Sequence, residues 1–215
     1  MHPELIARAI SGIMSPNTNV NEFIVNSMIF NKSVAKNVLH YLSLKGIGCI
    51  SRDVITFSRS DRLKTAIIAL QIGCDIERVS KAVTWKDFEA LTLEMLHTFG
   101  YATEMNLRFT KPRCEIDVIG IDSARALVID CKHWKRSNIS LISTYVKKQL
   151  IRTELFLERR RKSITFAIPI VLTLHSEKVH FINKVPIIPI NEFASFLRDF
   201  EWNYQEIHVM YAEKK

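Results

Sequence analysis

Two β-rich runs, residues 113 to 121 and 125 to 132 around a turn at Asp122 and Ser123, constrain this chain more than any other feature. They read as a hairpin whose faces follow from side-chain alternation. Asp130 and Lys132 point to one face, Ile129 and Cys131 to the other, so a carboxylate and an ammonium share a surface. On the partner run Asp117 lies between Ile116 and Val118, core-type residues that set its charge at the edge of an apolar interior. An acid placed there needs a compensating cation. Glu115 shares the Asp117 face by the same alternation.

Around the hairpin the periodicity predicts helices and further strands. Thr84 to Asp87 open a helix with a cap and an acidic first turn, and Phe88, Leu91, Met95 and Phe99 give it an apolar stripe that ends at Gly100. After the hairpin a long helix is expected from about Ile139 to Arg160, then strands near 164 to 174 and 177 to 183, and a last helix near Asn191 to Phe200. The order α, β, β, α, β, β, α predicts an α/β (α+β) domain, a mixed sheet flanked by helices, over residues 84 to 215.

Residues 1 to 83 are different in kind. Phe23, Ile24, Met28 and Ile29 fit a helix from Asn21 to Phe30, and Val34, Val38, Leu39 and Leu42 a second from Ser33 to Lys45, stopped by Gly46. A hairpin-like segment from Ile47 to Phe57 follows, so the pattern is that of a winged helix-turn-helix, whose second helix enters the DNA major groove. That helix would present Lys32, Lys36, Asn37, His40 and Lys45. A plain helical docking domain fits the same pattern. Further helices are expected from Asp61 to Leu70, ended by Gly73, and from Asp75 to Val83, with the domain boundary near Lys81 to Thr84.

Charge narrows the partner. The chain carries +8 at neutral pH with a pI near 9.4, and both halves are basic, with 10 basic and 6 acidic residues before Thr84 and 20 and 16 after it. Such a balance favours a polyanion, nucleic acid first, because phosphate contacts release condensed counterions. The four cysteines have no zinc spacing and are expected to be buried thiols. No apolar run is long enough for a bilayer, and Glu4 and Arg8 interrupt the N-terminus where a signal peptide is apolar, so a cytoplasmic protein without membrane contact is expected.

The acids and the lysine then imply a chemistry. Asp117 and Asp130 are hard oxygen donors of the kind that hold Mg2+, with Mn2+ able to substitute, alongside water and phosphate oxygens. Lys132 is suited to orient a water or stabilise an anionic transition state. Trp85-Lys86-Asp87-Phe88-Glu89, Gly100-Tyr101, Glu115-Ile116-Asp117-Val118-Ile119 and Val128-Ile129-Asp130-Cys131-Lys132 follow one another in an order that resembles the PD-(D/E)xK restriction-endonuclease-like superfamily. Its Mrr-type branch and the archaeal Holliday junction resolvases are the most similar. The resemblance covers roughly residues 84 to 200. It implies a restriction-endonuclease-like sheet, divalent metal and hydrolysis of DNA phosphodiesters. By position it makes Asp117 the central metal ligand, Asp130 the second acid, Lys132 the catalytic lysine and Glu89 a helix-borne acid and further ligand. Two departures stand out: Ile116 replaces the proline of the class name, and Asp130 stands where these branches more often carry Glu.

On the long helix, Gln149 is a candidate polar group near the metals, and Lys147, Lys148 and Arg152 are candidates to track a phosphate backbone. His133 and Trp134 follow the lysine, where a ring can meet a phosphate or a base. The reading is thus an N-terminal winged-helix-like domain, 1 to 83, and a metal-dependent DNA endonuclease domain, 84 to 215, with a homodimer allowed. The alternatives are a structure-selective nuclease such as a junction resolvase, and a DNA-binding regulator whose nuclease domain is inactive.

Overall fold

The computed structural model describes residues 1–13, 17–51, 54–132, 138–174, 177–199 and 205–213, with backbone alone at 76, 77 and 80. It is a mixed α/β chain that divides into two compact units, Met1–Leu91 and Thr92–Lys215, the division falling inside a helix and not ahead of it. Among the described residues no helix is long and apolar enough to cross a membrane.

In the first unit, α1 (Pro3–Gly12), α2 (Val20–Ser27) and α3 (Lys32–Leu44) alternate with β1 (Asn17–Asn19) and the hairpin β2 (Cys49–Ser51) and β3 (Val54–Thr56). The three strands form an antiparallel sheet in the order β1-β3-β2, which gives the expected helix-turn-helix followed by a wing. Local chemistry dictates the helix starts. Asn19 and Glu22 make a reciprocal capping box at α2, and the Asn31 side chain accepts from the Ser33 and Val34 N–H groups at α3. Between them Met28 takes the left-handed conformation, ending α2 three residues before the Asn31 cap. Ile6, Ile10, Phe23, Leu42, Ile55 and Leu63 are fully buried at the centre, each worth about 1.5–3 kcal/mol in burial alone. The opposite face of α3, with Lys32, Lys36, Asn37 and His40, is exposed.

One buried acid ties the wing to the helices. Asp61, at the start of α4 (Asp61–Gln71), accepts from the Gly48 N–H at 3.1 Å, the Ser58 N–H at 2.9 Å and the Ser58 hydroxyl at 2.5 Å, so both ends of the hairpin are fixed to one carboxylate. The short α5 (Ile76–Ala82) follows, capped by Asp75. The cysteines depart from expectation. Cys131 alone is buried; Cys114 and Cys74 are partly buried, and Cys49 is exposed because β2 is an edge strand.

Helix α6 (Trp85–Thr98) opens on a cap in which the Thr84 N–H and hydroxyl both donate to Asp87. From Thr92 onward the second unit is built on a seven-stranded sheet. It comprises β4 (Ala102–Thr110), β5 (Arg113–Asp122), β6 (Arg125–Lys132), β7 (Phe166–Thr173), β8 (Phe181–Ile182), β9 (Val185–Pro189) and β10 (Met210–Tyr211). Its order is β4-β5-β6-β7-β9-β8, with β10 on β7. The pairs β4-β5 and β5-β6 are antiparallel, whereas β6-β7 and β7-β9 are parallel, so β6 and β7 need a crossover. The long helix α7 (Ile139–Arg160) supplies it, burying Ile142, Val146, Gln149, Thr153, Phe156 and Leu157. Phe156 and Leu157 join Ile119, Ala126, Val128 and Ala167 in one core cluster. On the other side α6 approaches the sheet so closely that a Cβ at Gly120 would lie 2.8 Å from Leu96 Cδ2. A 3-10 turn (Ile190–Glu192) and α8 (Phe193–Asp199) follow β9.

The strand expectations need three corrections. β4 is an edge strand with few buried residues, and its polar Thr103, Glu104, Asn106 and Arg108 hide it from an apolar scan. Within 177 to 183 only Phe181 and Ile182 form a strand. The neighbouring Val185–Pro189 joins β7 although it contains two prolines, which argue against a strand when read alone.

Candidate active site

The hairpin that dominates the sequence stops pairing at the residues of interest. The β5-β6 ladder runs from Asp122 opposite Arg125 to Val118 opposite Ile129, and one step further stand Asp117 and Asp130. Beyond that step β5 continues to pair only with β4, and β6 only with β7, through Asp130 with Val171 and Lys132 with Thr173. The strands therefore part at the two acids. The Cys131 N–H, which a continued ladder would aim at the β5 backbone, donates to Asp117 Oδ2 at 2.8 Å.

Lys132 joins the acids as alternation requires. Its Nζ donates to Asp130 Oδ1 at 2.8 Å and lies 3.9 Å from Asp117 Oδ2. The two acids differ in environment. Asp130 is fully buried, and its Oδ1 also accepts from Arg152 Nη1 at 2.6 Å; its Oδ2 is buried with no hydrogen-bond partner among the described residues. Asp117 keeps 23% of its side chain exposed. Its carboxyl is pushed up to about 6, first by burial and then by the negative charge of Asp130, against the opposing pull of Lys132, the Cys131 N–H and Arg152. Cys131 faces away, its sulfur 3.7 Å from the Thr92 hydroxyl, and burial above all pushes the thiol well up. A thiol held protonated in this way is no nucleophile.

Of the residues singled out in the sequence, Asp117, Asp130, Lys132 and Arg152 come together. Arg152 turns inward to Asp130, whereas a backbone-tracking role had been expected of it. Gln149 is fully buried and donates to the Val128 carbonyl at 2.7 Å, so it is closed to a DNA backbone; its Oε1 has no hydrogen-bond partner among the described residues. Lys147 and Lys148 are exposed on α7. Glu115 pairs with Arg108 across β4 and β5. Glu89 is buried in the first half of α6, which belongs to the other unit, as do Lys32, Lys36 and Asn37. His133 and Trp134 lie outside the described residues. No three His, Cys, Asp or Glu side chains form a group able to hold a metal among the described residues, so the two aspartates stand as a pair.

Tyr145 escaped the sequence reading. Lys132 Nζ lies 5.2 Å and Lys148 Nζ 5.4 Å from the centre of its ring, so the ring is shared by a partly buried lysine and an exposed one. The signal was present in the spacing. Tyr145, Gln149 and Arg152 fall four and three residues apart, a stripe along one helix face that includes two polar residues on the buried side.

No family model matches the chain, and no curated protein matches it. Two solved structures are similar in part. The protein of unknown function AF1548 is 16% identical, with a TM-score of 0.30 over 50% of this chain and 52% of that one. The protein VC1899 from Vibrio cholerae is 11% identical, with a TM-score of 0.38 over 95% of this chain and 51% of that one. The matched region thus spans about half the length of each, and at these scores neither likeness carries an argument about fold or activity.

Proposed function

We propose that the second unit is a divalent-metal-dependent endodeoxyribonuclease of the PD-(D/E)xK type, with Asp117, Asp130 and Lys132 at its centre. The observation that carries this reading is the meeting of both acids with the lysine where β5 and β6 part, next to a buried carboxylate oxygen that has no hydrogen bond among the described residues. A bare buried carboxylate oxygen is unfavourable, and a hard cation is a natural partner for it. Two aspartates suit Mg2+ or Mn2+, which are often held by one or two carboxylates with water and phosphate oxygens completing the shell. When bound, such an ion neutralises phosphodiester charge and acidifies a water.

The chain's own groups do the rest. Asp117, which keeps part of its side chain exposed, is the acid that a phosphate can approach, and Asp130 supplies a buried oxygen. Lys132 holds a positive charge between them, where it can orient a nucleophilic water or meet the developing charge on the phosphate. The exposed Lys32, Lys36, Asn37 and His40 of α3, together with Lys147 and Lys148, are the side chains that would meet DNA, in keeping with the net charge of +8. Action as a homodimer on branched DNA is a proposed variant of the same activity.

The test is conversion of supercoiled plasmid to open circles by the purified chain with Mg2+ or Mn2+. Cleavage is expected to stop with a chelator and to fall at least about 100-fold in Lys132→Ala. A Lys132→Ala protein that cuts as fast as the parent would falsify the reading. A second reading, a DNA-binding regulator with a silent nuclease fold, is favoured by Arg152, whose charge already compensates Asp130. Metal-independent DNA binding without any nicking would establish it.

A further inference from the structure

Arg152 is 18% exposed and donates to the same Asp130 oxygen that accepts from Lys132. Two cations therefore converge on one oxygen of a fully buried carboxylate, while the other oxygen has no hydrogen bond among the described residues. Asp117, Asp130, Lys132 and Arg152 together carry a formal charge of zero. Carboxylates already neutralised attract a divalent ion weakly, because each resident cation repels it and screening is poor for partly buried charges. A nucleic-acid phosphate brings the negative charge that restores the attraction.

We propose that Arg152 is the resident counter-ion of Asp130, a positioning residue that occupies Oδ1, leaves Oδ2 for a divalent cation, and makes cation binding depend on a nucleic-acid phosphate. The proposal rests on the metal-dependent reading of the site. It goes beyond that reading in saying that the protein without DNA takes the cation poorly and in naming the residue responsible. The coupling is reciprocal: the factor by which DNA tightens the cation is the factor by which the cation tightens DNA.

The full chain is titrated with Mn2+ without DNA, bound and free ion being resolved by electron paramagnetic resonance. Arg152→Gln, which keeps a hydrogen-bond donor but no charge, is expected to bind Mn2+ at least about tenfold more tightly than the parent, and Arg152→Lys to match the parent. In parallel, the affinity of the parent for a short DNA duplex is read by fluorescence anisotropy in Ca2+ and in chelator at constant ionic strength. Ca2+ is expected to tighten it about tenfold or more, and less in Arg152→Gln. Arg152→Gln binding Mn2+ no better than the parent overturns the proposal, and so does a parent whose DNA affinity ignores Ca2+, a measurement that needs no variant. A parent that nicks plasmid yet fails these tests overturns only the counter-ion role. One that neither nicks nor takes up Mn2+ overturns the nuclease reading with it.

Discussion

Asp117 and Asp130 stand opposite one another one step past the last paired residues of the β5-β6 hairpin, and the Cys131 N–H that would have extended the ladder is bound by Asp117 Oδ2 at 2.8 Å. The two acids are neighbours with opposite energetics. Asp130 is a buried anion held by two cations, whereas Asp117 is a strained one whose ionised form is disfavoured by burial and by Asp130 itself.

Neutralising each acid should therefore move stability in opposite directions. Asp117→Asn retains an acceptor for the Cys131 N–H and removes a disfavoured charge, so the metal-free protein is expected to gain about 1–2 kcal/mol at neutral pH. Asp130→Asn strands Lys132 and Arg152 without their counter-ion and is expected to lose about 3–5 kcal/mol. Denaturant unfolding of the two variants measures both, and nicking is expected to disappear in each. Equal destabilisation by the two substitutions would contradict the assignment.

The raised Asp117 pKa predicts a pH dependence of definite sign. The folded carboxyl keeps its proton up to about 6, whereas the ordinary value is 3.8, so between these limits the folded state binds more protons than the unfolded one. The Asp117 contribution to metal-free stability should thus fall as pH rises from about 4 to about 6, by at most about 1.4 kcal/mol per unit, and level off above. Subtracting the pH profile of Asp117→Asn from that of the parent isolates it. Since a ligand carboxylate must be ionised, Mn2+ uptake should rise through the same window.

On α3 the exposed Lys32 and Lys36 should act through phosphates. Lys36→Ala is expected to weaken DNA binding about equally across sequences and to lower the slope of log affinity against log salt by about 1, without changing stability. Anisotropy titrations at several salt concentrations check this. An unchanged slope removes α3 from the DNA-binding surface.

Asp61 should matter to the first unit alone. Its buried carboxylate serves the Gly48 and Ser58 N–H groups and the Ser58 hydroxyl, so Asp61→Ala leaves those donors bare. A loss of about 2–4 kcal/mol is expected. Hydrogen exchange at Gly48 and Ser58 should rise sharply, while exchange in β6 and β7 stays as in the parent.

Much of the candidate site was legible because its rules are local. Alternation put Asp130 and Lys132 on one face and Cys131 on the other, and the apolar spacing marked α7 from Ile139 to Arg160. The same periods placed the two helices ahead of the wing. Tertiary structure alone decided that β5 and β6 part after Val118 and Ile129, that Arg152 turns inward to Asp130, and that Val185–Pro189 extends the sheet in spite of its prolines. Each depends on contacts between segments distant in the chain, and the energy of such a contact is set by burial and geometry that no stretch of sequence contains by itself.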